Sequence, residues 1–362
     1  MAGGPLSGVR VIEFAGIGPA PFVAMQLSDM GAEVLRIDRI GSKAPTPLHF
    51  EQRGRRHIQL DLKRPEAIAT LLDLIARADV VIEGFRPGVM ERLGLGPEAA
   101  MARNPALVYG RITGWGQDGP YAPMAGHDLN YAALSGAIAA IGPAERPLPP
   151  LNLLADFGGG AMMLSIGVLA ALTHARTTGV GQVVDAAMSD GVSYLMTLIY
   201  QLRANGMWRD GRAANLIDGG APYYACYRCA DGEWISIAAL EPHFFAQLAS
   251  LIAMPPELAA NRDAPDNWPK LAAFFEESFA RESRAHWCRL FEGTDICFAP
   301  VLGMGEAAAH PHNVARGAFR EVSGAPCPNP APRFSATPMR VTHEAGEAPD
   351  ADWDWLAPLR RM

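Results

Sequence analysis

The sequence predicts an α/β protein whose larger part is an open, mostly parallel sheet of the Rossmann-like kind, and three observations favour this class. Strand-like and helix-like segments alternate through the first half of the chain, which is typical of a parallel sheet. Apolar residues make up 49% and charged residues 19% of the 362, a composition that supports a folded core. This length suggests two domains or one large one.

The first β-α-β unit is predicted from three short segments. Residues 9–14 are rich in β-branched and aromatic side chains, residues 22–30 have apolar side chains at helical spacing, and residues 33–37 are predicted to form a second strand. Gly31 is placed to end the helix. A second unit repeats this order, with strands at 58–62 and 79–83 around a helix at 65–78 that starts with proline.

Further strands are predicted at residues 106–113 and 183–187, and long helices at 128–141, 156–176 and 189–204. Between the first of these strands and the first helix, residues 114–126 are rich in glycine. A loop of this length inside a compact domain is more often functional than a plain connection. We therefore expect chemistry at this loop.

The chain is expected to divide into a large α/β domain at 1–204, a linker at 205–222, a small α+β domain at 223–296 and a return segment at 297–362. The small domain is predicted to start with a hairpin, because residues 223–229 and 233–238 alternate around the turn pair Asp231-Gly232. Its helices are predicted at 242–252, 268–280 and 284–291. Residues 297–362 are rich in proline and weak in periodicity, as expected of a segment that crosses the surface of the first domain.

The charge balance and the cysteines restrict the partners and the compartment. Lys and Arg number 31 against 38 Asp and Glu, a formal charge of −7, which argues against a nucleic-acid binder. Five scattered cysteines predict a reducing compartment. The start of the chain lacks a secretion signal, and the apolar run 158–172 is too short to span a bilayer, so a buried helix, no membrane partner and a cytoplasmic location are expected.

The turn after the first strand invites comparison with a dinucleotide-binding loop. Gly16 and Gly18 fit the glycine-rich fingerprint, but Pro21 replaces its third glycine, and Asp38 at the end of the next strand is followed at once by Arg39. A tight strand-to-helix turn explains the same residues. A nicotinamide-dependent oxidoreductase is kept as an alternative.

Basic residues cluster near the predicted strand ends of the first domain. They are Arg36, Arg39, Arg53, Arg55, Arg56, Lys63, Arg86 and Arg92. Because ligands of open α/β sheets bind outside the carboxyl ends of the strands, such a patch in an acidic protein could hold a phosphorylated ligand. A solvated basic rim is the alternative.

Three polar residues stand where helices are predicted to start. His127 ends the glycine-rich loop, Asp156 precedes three glycines, and Glu241 follows the second strand of the small domain. Each position also suits a helix cap or a satisfied loop residue. The three glycines cost helix stability, about 1 kcal/mol each against alanine, which close approach of a ligand would justify.

The pair Cys226 and Cys229 has no second pair, so no metal site is predicted.

Two sets of strings in the chain carry a resemblance. The first set lies at residues 6–13, 31–39, 60–63, 85–88 and 116–121, and the second at 126–131, 151–160, 218–222 and 241–242. The first set resembles the family III CoA transferases as a whole, and the second resembles one branch of them, the α-methylacyl-CoA racemases. Transferases of the family usually carry an aromatic residue where this chain has His127, whereas racemases carry histidine, so this residue favours the racemase branch.

The resemblance implies a racemase that moves the C2 proton of a 2-methylacyl-CoA between the two faces of that carbon, with His127 and Asp156 as acid/base groups and Glu241 beside His127. It implies an interlocked homodimer in which Glu241 comes from the partner chain. It also implies no cofactor beyond the CoA of the acyl-CoA substrate. The residues expected to bind that substrate are Arg39, Leu60, Lys63, Gly84, Phe85, Arg86, Arg92, Gly126, Asp128 and Tyr131. The alternative within the family is a CoA transferase in which Asp156 is the nucleophile.

Overall fold

The computed structural model describes residues 3–347 and 353–361. The strands are β1 (Arg10–Phe14), β2 (Glu33–Arg39), β3 (Arg55–Leu60), β4 (Val80–Glu83), β5 (Val108–Thr113), β6 (Gln182–Ala187), β7 (Tyr224–Arg228), β8 (Trp234–Ala238), β9 (Phe298–Val301), β10 (Phe319–Val322) and β11 (Ala325–Pro328).

The helices are α1 (Pro19–Asp29), α2 (Pro65–Ile75), α3 (Val89–Arg92), α4 (Pro97–Arg103), α5 (Asp128–Leu134), α6 (Ala137–Ala140), α7 (Met163–Thr178), α8 (Met188–Leu195), α9 (Thr197–Ala204), α10 (Pro242–Leu251), α11 (Pro256–Ala260), α12 (Trp268–Phe279), α13 (Arg284–Phe291), α14 (Met304–Ala309) and α15 (Pro311–Ala315). A π-helical segment, Leu153–Met162, runs directly into α7. Short 3-10 segments lie at Phe50–Gln52, Pro265–Asn267 and Asp354–Arg361.

Backbone contacts divide the chain into two units. The first comprises the described residues of Met1–Gly136, Pro150–Thr197 and Gly317–Met362, and the second comprises Ala137–Pro149 and Leu198–Arg316. Compared with the expected division, residues 137–149 join the second unit and the chain returns to the first at 317 rather than 297. The expected linker, 205–222, lies within the second unit.

The first unit contains a six-stranded parallel sheet in the order β3-β2-β1-β4-β5-β6, so the predicted parallel α/β sheet is confirmed. The chain winds from β1 outward to β3, then returns to place β4 on the other side of β1 and winds outward to β6. This reversal creates a crevice at the carboxyl ends of β1 and β4, where ligands of such sheets bind.

Alternation along β1 divides the core of the sheet between its two faces. Val9 and Val11 pack with α1 and α7, whereas Ile12 and Phe14 pack with the apolar side of α2. Both groups of side chains are fully buried. Burial on both faces explains why apolar side chains occur at neighbouring positions of β1, such as Val11 and Ile12, rather than only at alternate ones.

The sequence places β3 wrongly, at 58–62 instead of Arg55–Leu60. The strand begins with Arg55 and Arg56, which do not look like strand residues. Arg55 is nevertheless buried, because its guanidinium group pairs with the carboxylate of Glu13, which also pairs with Arg36. Ion pairing inside the fold, which no local pattern reveals, therefore sets the start of this strand.

Two predicted helices are each interrupted. The helix expected at 128–141 stops at α5, and Gly136, with a φ of 85°, separates it from α6. The helix expected at 189–204 is split into α8 and α9 at Met196. A left-handed glycine cannot continue a right-handed helix, which explains the first break.

The apolar helix is longer than the sequence suggests. The π-helical segment and α7 together form a continuous helix, Leu153–Thr178, of 26 residues that meets the length and hydropathy expected of a membrane span. Its most apolar stretch is 39% buried inside the protein. The buried side, which includes Leu164, Val168 and Ala171, packs on the sheet as a core helix does.

The second unit contains the predicted hairpin, β7 and β8, which pair antiparallel across the turn at Asp231-Gly232. A third strand, β9, pairs with β8, although the sequence assigns no strand there. The three predicted helices appear as α10, α12 and α13. Their aromatic residues, including Phe275, Phe279 and Trp287, form a separate core with the sheet.

Candidate active site

A cavity of about 550 Å³ opens in the first unit at the carboxyl ends of β1, β4 and β5. This volume is within the range of small-molecule sites. The lining comes from the turn after β1, the loop after β4, both ends of the glycine-rich loop and the starts of four helices. Its residues are Ile17–Ala20, Gly84–Pro87, Ile112–Trp115, Ala122, Met124–His127, Tyr131, Asp156 and Met188.

Asp156 lies inside its helix and not at the N-cap where the sequence places it. The helix begins at Leu153 with Asn152 as its N-cap, so Asp156 is in the first turn. A Cβ atom built on Gly18 would lie 3.6 Å from Oδ2 of Asp156. Gly18, in the turn after β1, thus lies beside the carboxylate, and its φ of 76° is the reason that this position favours glycine.

Asp128 connects the two elements that carry His127 and Asp156. Its Oδ2 atom accepts hydrogen bonds from the backbone N–H groups of Ala155 and Asp156, both at 2.7 Å. The residue is 6% exposed, and its Oδ1 atom is buried without a hydrogen-bond partner among the described residues. Its carboxylate satisfies N–H groups at the start of the π-helical segment that have no partner within the helix.

The pKa of the Asp156 carboxyl group is raised above its ordinary value. Partial burial is the main cause, and the negative charge of Asp128 adds to it. A hydrogen bond with Asn152 and the proximity of His127 act in the opposite direction. A carboxyl group with a raised pKa is better matched to proton transfer near neutral pH than an ordinary aspartate is.

His127 is the exposed N-cap residue of α5 and projects from the last turn of the glycine-rich loop. Its backbone N–H donates to the side-chain oxygen of Asn130 at 3.1 Å, which fixes the entry into the helix. Both His127 and Asp156 line the cavity. The structure thus brings together two acid/base groups that are separated by 28 residues in the sequence.

Two of the three glycines after Asp156, Gly159 and Gly160, are explained by packing between helices, and not by the approach of a ligand that the sequence suggests. A Cβ atom on Gly159 would lie 2.7 Å from the backbone nitrogen of Val192 in α8, and one on Gly160 would lie 2.8 Å from Cγ of Met188. Gly191 in α8 is closer still, since a Cβ atom there would lie 1.7 Å from the Gly159 carbonyl oxygen. Small residues on both helices let their backbones touch.

The basic patch predicted from the sequence separates into buried and exposed members. Arg36 and Arg55 bind Glu13, and Arg53 binds Asp29, so these three serve the core. Arg39, Lys63, Arg86 and Arg92 are exposed; Arg39 is the last residue of β2, Lys63 follows β3, and Arg86 and Arg92 follow β4. These four keep their charged groups at the surface of the first unit, whereas Arg56, within β3, is partly buried.

The loop that carries Arg86 is held by a buried ion pair. Oε2 of Glu83 accepts the backbone N–H of Phe85 at 2.7 Å, while its Oε1 atom accepts Nε of Arg111 at 2.7 Å. Arg111 also pairs with Glu91. Glu83 and Arg111 are opposite each other on β4 and β5, so the register of the sheet determines where the loop begins.

The structure brings most of the predicted site residues to one place. Besides His127 and Asp156, the predicted residues at the cavity are Gly84, Phe85, Arg86, Gly126 and Tyr131. Arg39, Lys63 and Arg92 lie outside the described lining, and Leu60 is 8% exposed in the apolar core. Glu241 belongs to the second unit, where it is the exposed N-cap residue of α10.

Sequence reasoning missed the contributions of Gly18 and Trp115 to the lining and the carboxylate of Asp128 as a link. The sequence shows that Asp128 follows His127, but its burial and its partners are visible only in the structure. Asp38, the acid required by the dinucleotide alternative, is bound by Arg36 at 3.1 Å and by His57 at 2.9 Å. Its carboxylate is thus engaged in the sheet and not available to a ribose.

The chain is similar to known proteins along nearly its whole length. The model of a family described as CoA-transferase family III matches residues 6–354. The α-methylacyl-CoA racemase of Mus musculus is 45% identical over 335 residues, 92% of this chain and 87% of its own length. The racemase of Homo sapiens is 43% identical, again over 92% and 87%. A crystal structure of a CaiB/BaiF family protein from Brucella suis has a TM-score of 0.80 at 28% identity and covers 95% of this chain and 96% of its own.

Proposed function

Because the chain belongs to CoA-transferase family III, we propose that it is an α-methylacyl-CoA racemase, which interconverts the two C2 epimers of 2-methylacyl-CoA thioesters. The similarity to two curated racemases covers nearly the whole chain. The observation that carries the proposal within this structure is the presence of both His127 and Asp156 in one cavity. Racemisation at one carbon needs two groups that can each donate and accept a proton.

In the proposed reaction, one of the two groups removes the C2 proton and the electron pair moves onto the thioester carbonyl oxygen. The other group then donates a proton to the opposite face of C2, which restores the thioester with inverted configuration. At the end, the group that removed the C2 proton carries a proton and the other group has lost one. No redox step is needed. The backbone N–H of Asp128, at the first position of α5, is proposed to stabilise the enolate oxygen.

The exposed basic residues at the strand ends are proposed to bind the phosphates of CoA. Arg86 lines the cavity, Arg39 ends β2, and Lys63 and Arg92 come after β3 and β4 at the same edge of the sheet. Their positive charges suit a polyanionic group on a protein that is acidic as a whole. Gly84 and Phe85 are proposed to contact the pantetheine arm.

Glu241 is proposed to act beside His127 of a partner chain in an interlocked homodimer. Support comes from the exposure of Glu241 and from large apolar side chains left exposed along α8 and α9, including Tyr194, Leu195 and Leu198. Mixing subunits with His127→Ala and subunits with Glu241→Ala tests this, because a mixed dimer would regain one complete site. If mixing restores no activity although mixed dimers form, Glu241 acts within its own chain or not at all.

The cytoplasmic location expected from the sequence stays a prediction.

The decisive experiment is incubation with a single epimer of a 2-methylacyl-CoA in D₂O. A racemase incorporates deuterium at C2 while optical purity is lost. A CoA transferase would instead move CoA to an added free acid without deuteration at C2, with Asp156 as the nucleophile. That second outcome would replace the proposed activity with the alternative within the family.

A further inference from the structure

The ring of Tyr131 lies between the two ends of the glycine-rich loop. A Cβ atom on Gly114 would lie 2.1 Å from Cε1 of Tyr131, and one on Gly126 would lie 2.7 Å from the same atom. Trp115 packs edge-on against the ring at a centroid distance of 4.7 Å. The loop therefore leaves and rejoins the protein over one buried tyrosine, and both glycines are needed for that approach.

The hydroxyl group of Tyr131 makes a second connection to the same segment. It donates a hydrogen bond to the carbonyl oxygen of Gly126, the residue directly before His127. Tyr131 is 7% exposed, so this bond is largely shielded from water. Since Tyr131 lies one helical turn after His127, ring and hydroxyl together fix the peptide from which the histidine projects.

We propose that Tyr131 is a positioning residue that fixes the imidazole of His127 in the cavity by holding the Gly126 carbonyl. This inference rests on the proposed function, because it assigns Tyr131 to the proton-transfer step rather than to recognition of CoA. The phenol stays protonated and able to donate, since burial and the nearby charge of Asp156 raise its pKa, against the effect of Arg86. A role in CoA binding, expected from the sequence, predicts a different result below.

Tyr131→Phe removes the hydroxyl group and keeps the ring between the two glycines. We expect kcat to fall about tenfold or more while KM for the thioester changes less than about twofold, as for an interaction that orients a catalytic group. The matched control is Tyr109→Phe. It also removes a buried hydroxyl group that donates to a backbone carbonyl, here that of Leu95 at 2.9 Å. Tyr109 belongs to the core on the face of the sheet opposite α7. The control is expected to keep kcat even if its melting temperature falls by a similar amount.

A deuterium experiment separates positioning of His127 from a general loss of structure. In a reaction with two acid/base groups, each group exchanges the C2 proton of one epimer with solvent. If only His127 is misplaced, Tyr131→Phe slows racemisation in both directions. The epimer whose C2 proton Asp156 removes still takes up deuterium from the solvent and keeps its configuration. The epimer handled by His127 loses exchange. Equal loss of exchange in both epimers would overturn the proposal.

A second variant changes the contact between Gly126 and Tyr131 on the side of the loop. Gly126→Ala keeps the hydroxyl but drives a Cβ atom against the Tyr131 ring and to 3.1 Å from Trp115. It is expected to give the same one-sided loss of exchange. A raised KM for CoA esters with unchanged kcat in Tyr131→Phe would assign the residue to substrate binding and refute positioning. If the wild-type enzyme exchanges no proton at C2, the proposed function itself fails, which is a distinguishable result.

Discussion

The carboxylate of Asp128 holds the main chain of Asp156, through hydrogen bonds of 2.7 Å to the N–H groups of Asp156 and its predecessor Ala155. Because Asp128 follows His127 directly, one buried side chain couples the two proposed acid/base residues. A displacement of α5 would therefore move both groups. The hydrogen bonds fix the position of Asp156, and the negative charge of Asp128 also helps to raise the pKa of the Asp156 carboxyl group.

Replacing either acid/base residue is expected to abolish most turnover and leave binding intact. His127→Ala and Asp156→Ala should each lower kcat by about 10²-fold or more, because general acid/base catalysis contributes on this scale. Affinity for CoA, measured by calorimetry, should stay close to that of the wild type. Equal losses in CoA affinity would mean that these residues support the fold of the cavity instead.

Asp128→Asn is expected to move the acidic limb of the pH–rate profile to lower pH. The pKa of Asp156 is raised partly by the negative charge of Asp128, so removal of that charge lowers the pKa and lets Asp156 ionise at lower pH. The amide oxygen can still accept the two N–H bonds. The measurement is kcat/KM against pH, and an unchanged or upward-shifted limb would contradict the assignment.

Glu13→Gln is expected to destabilise the first unit by about 3–5 kcal/mol, because the buried Arg55 then has no carboxylate partner, while Arg36 keeps only Asp38. Glu13 is completely buried, so water cannot compensate. Urea denaturation measures the loss. An exposed ion pair provides the control: Glu277→Gln, which removes the partner of Arg281, should cost under about 1 kcal/mol.

Gly191→Ala is expected to destabilise the protein by about 1–3 kcal/mol or more, since its Cβ atom would meet the Gly159 carbonyl at 1.7 Å. Gly305→Ala is the matched control in α14, where a Cβ atom would meet nothing within 4 Å. That change should be neutral or stabilise by about 0.5–1 kcal/mol, as alanine favours helix. Equal melting temperatures for the two variants would contradict the close approach of α8 to the π-helical segment.

The sequence by itself determined the elements whose signal is local. The alternation of apolar strands and helices predicted the parallel sheet, and a turn pair predicted the hairpin of β7 and β8, because side-chain period and turn chemistry act over a few residues. His127 and Asp156 were recognisable as candidates from the residues around them. The sequence strings that contain these two residues indicate the family, whereas the spacing between the two residues does not.

Only the tertiary structure decided which residues meet. The start of β3 depends on a carboxylate contributed by β1, and the glycines after Asp156 are explained by a helix some 30 residues later in the chain. The link from Asp128 to Asp156 likewise crosses from one helix to another. Ion pairs, backbone contacts and shared hydrogen bonds between distant segments form only once the chain has folded, so no local pattern encodes them, and they determine how the candidate site is built.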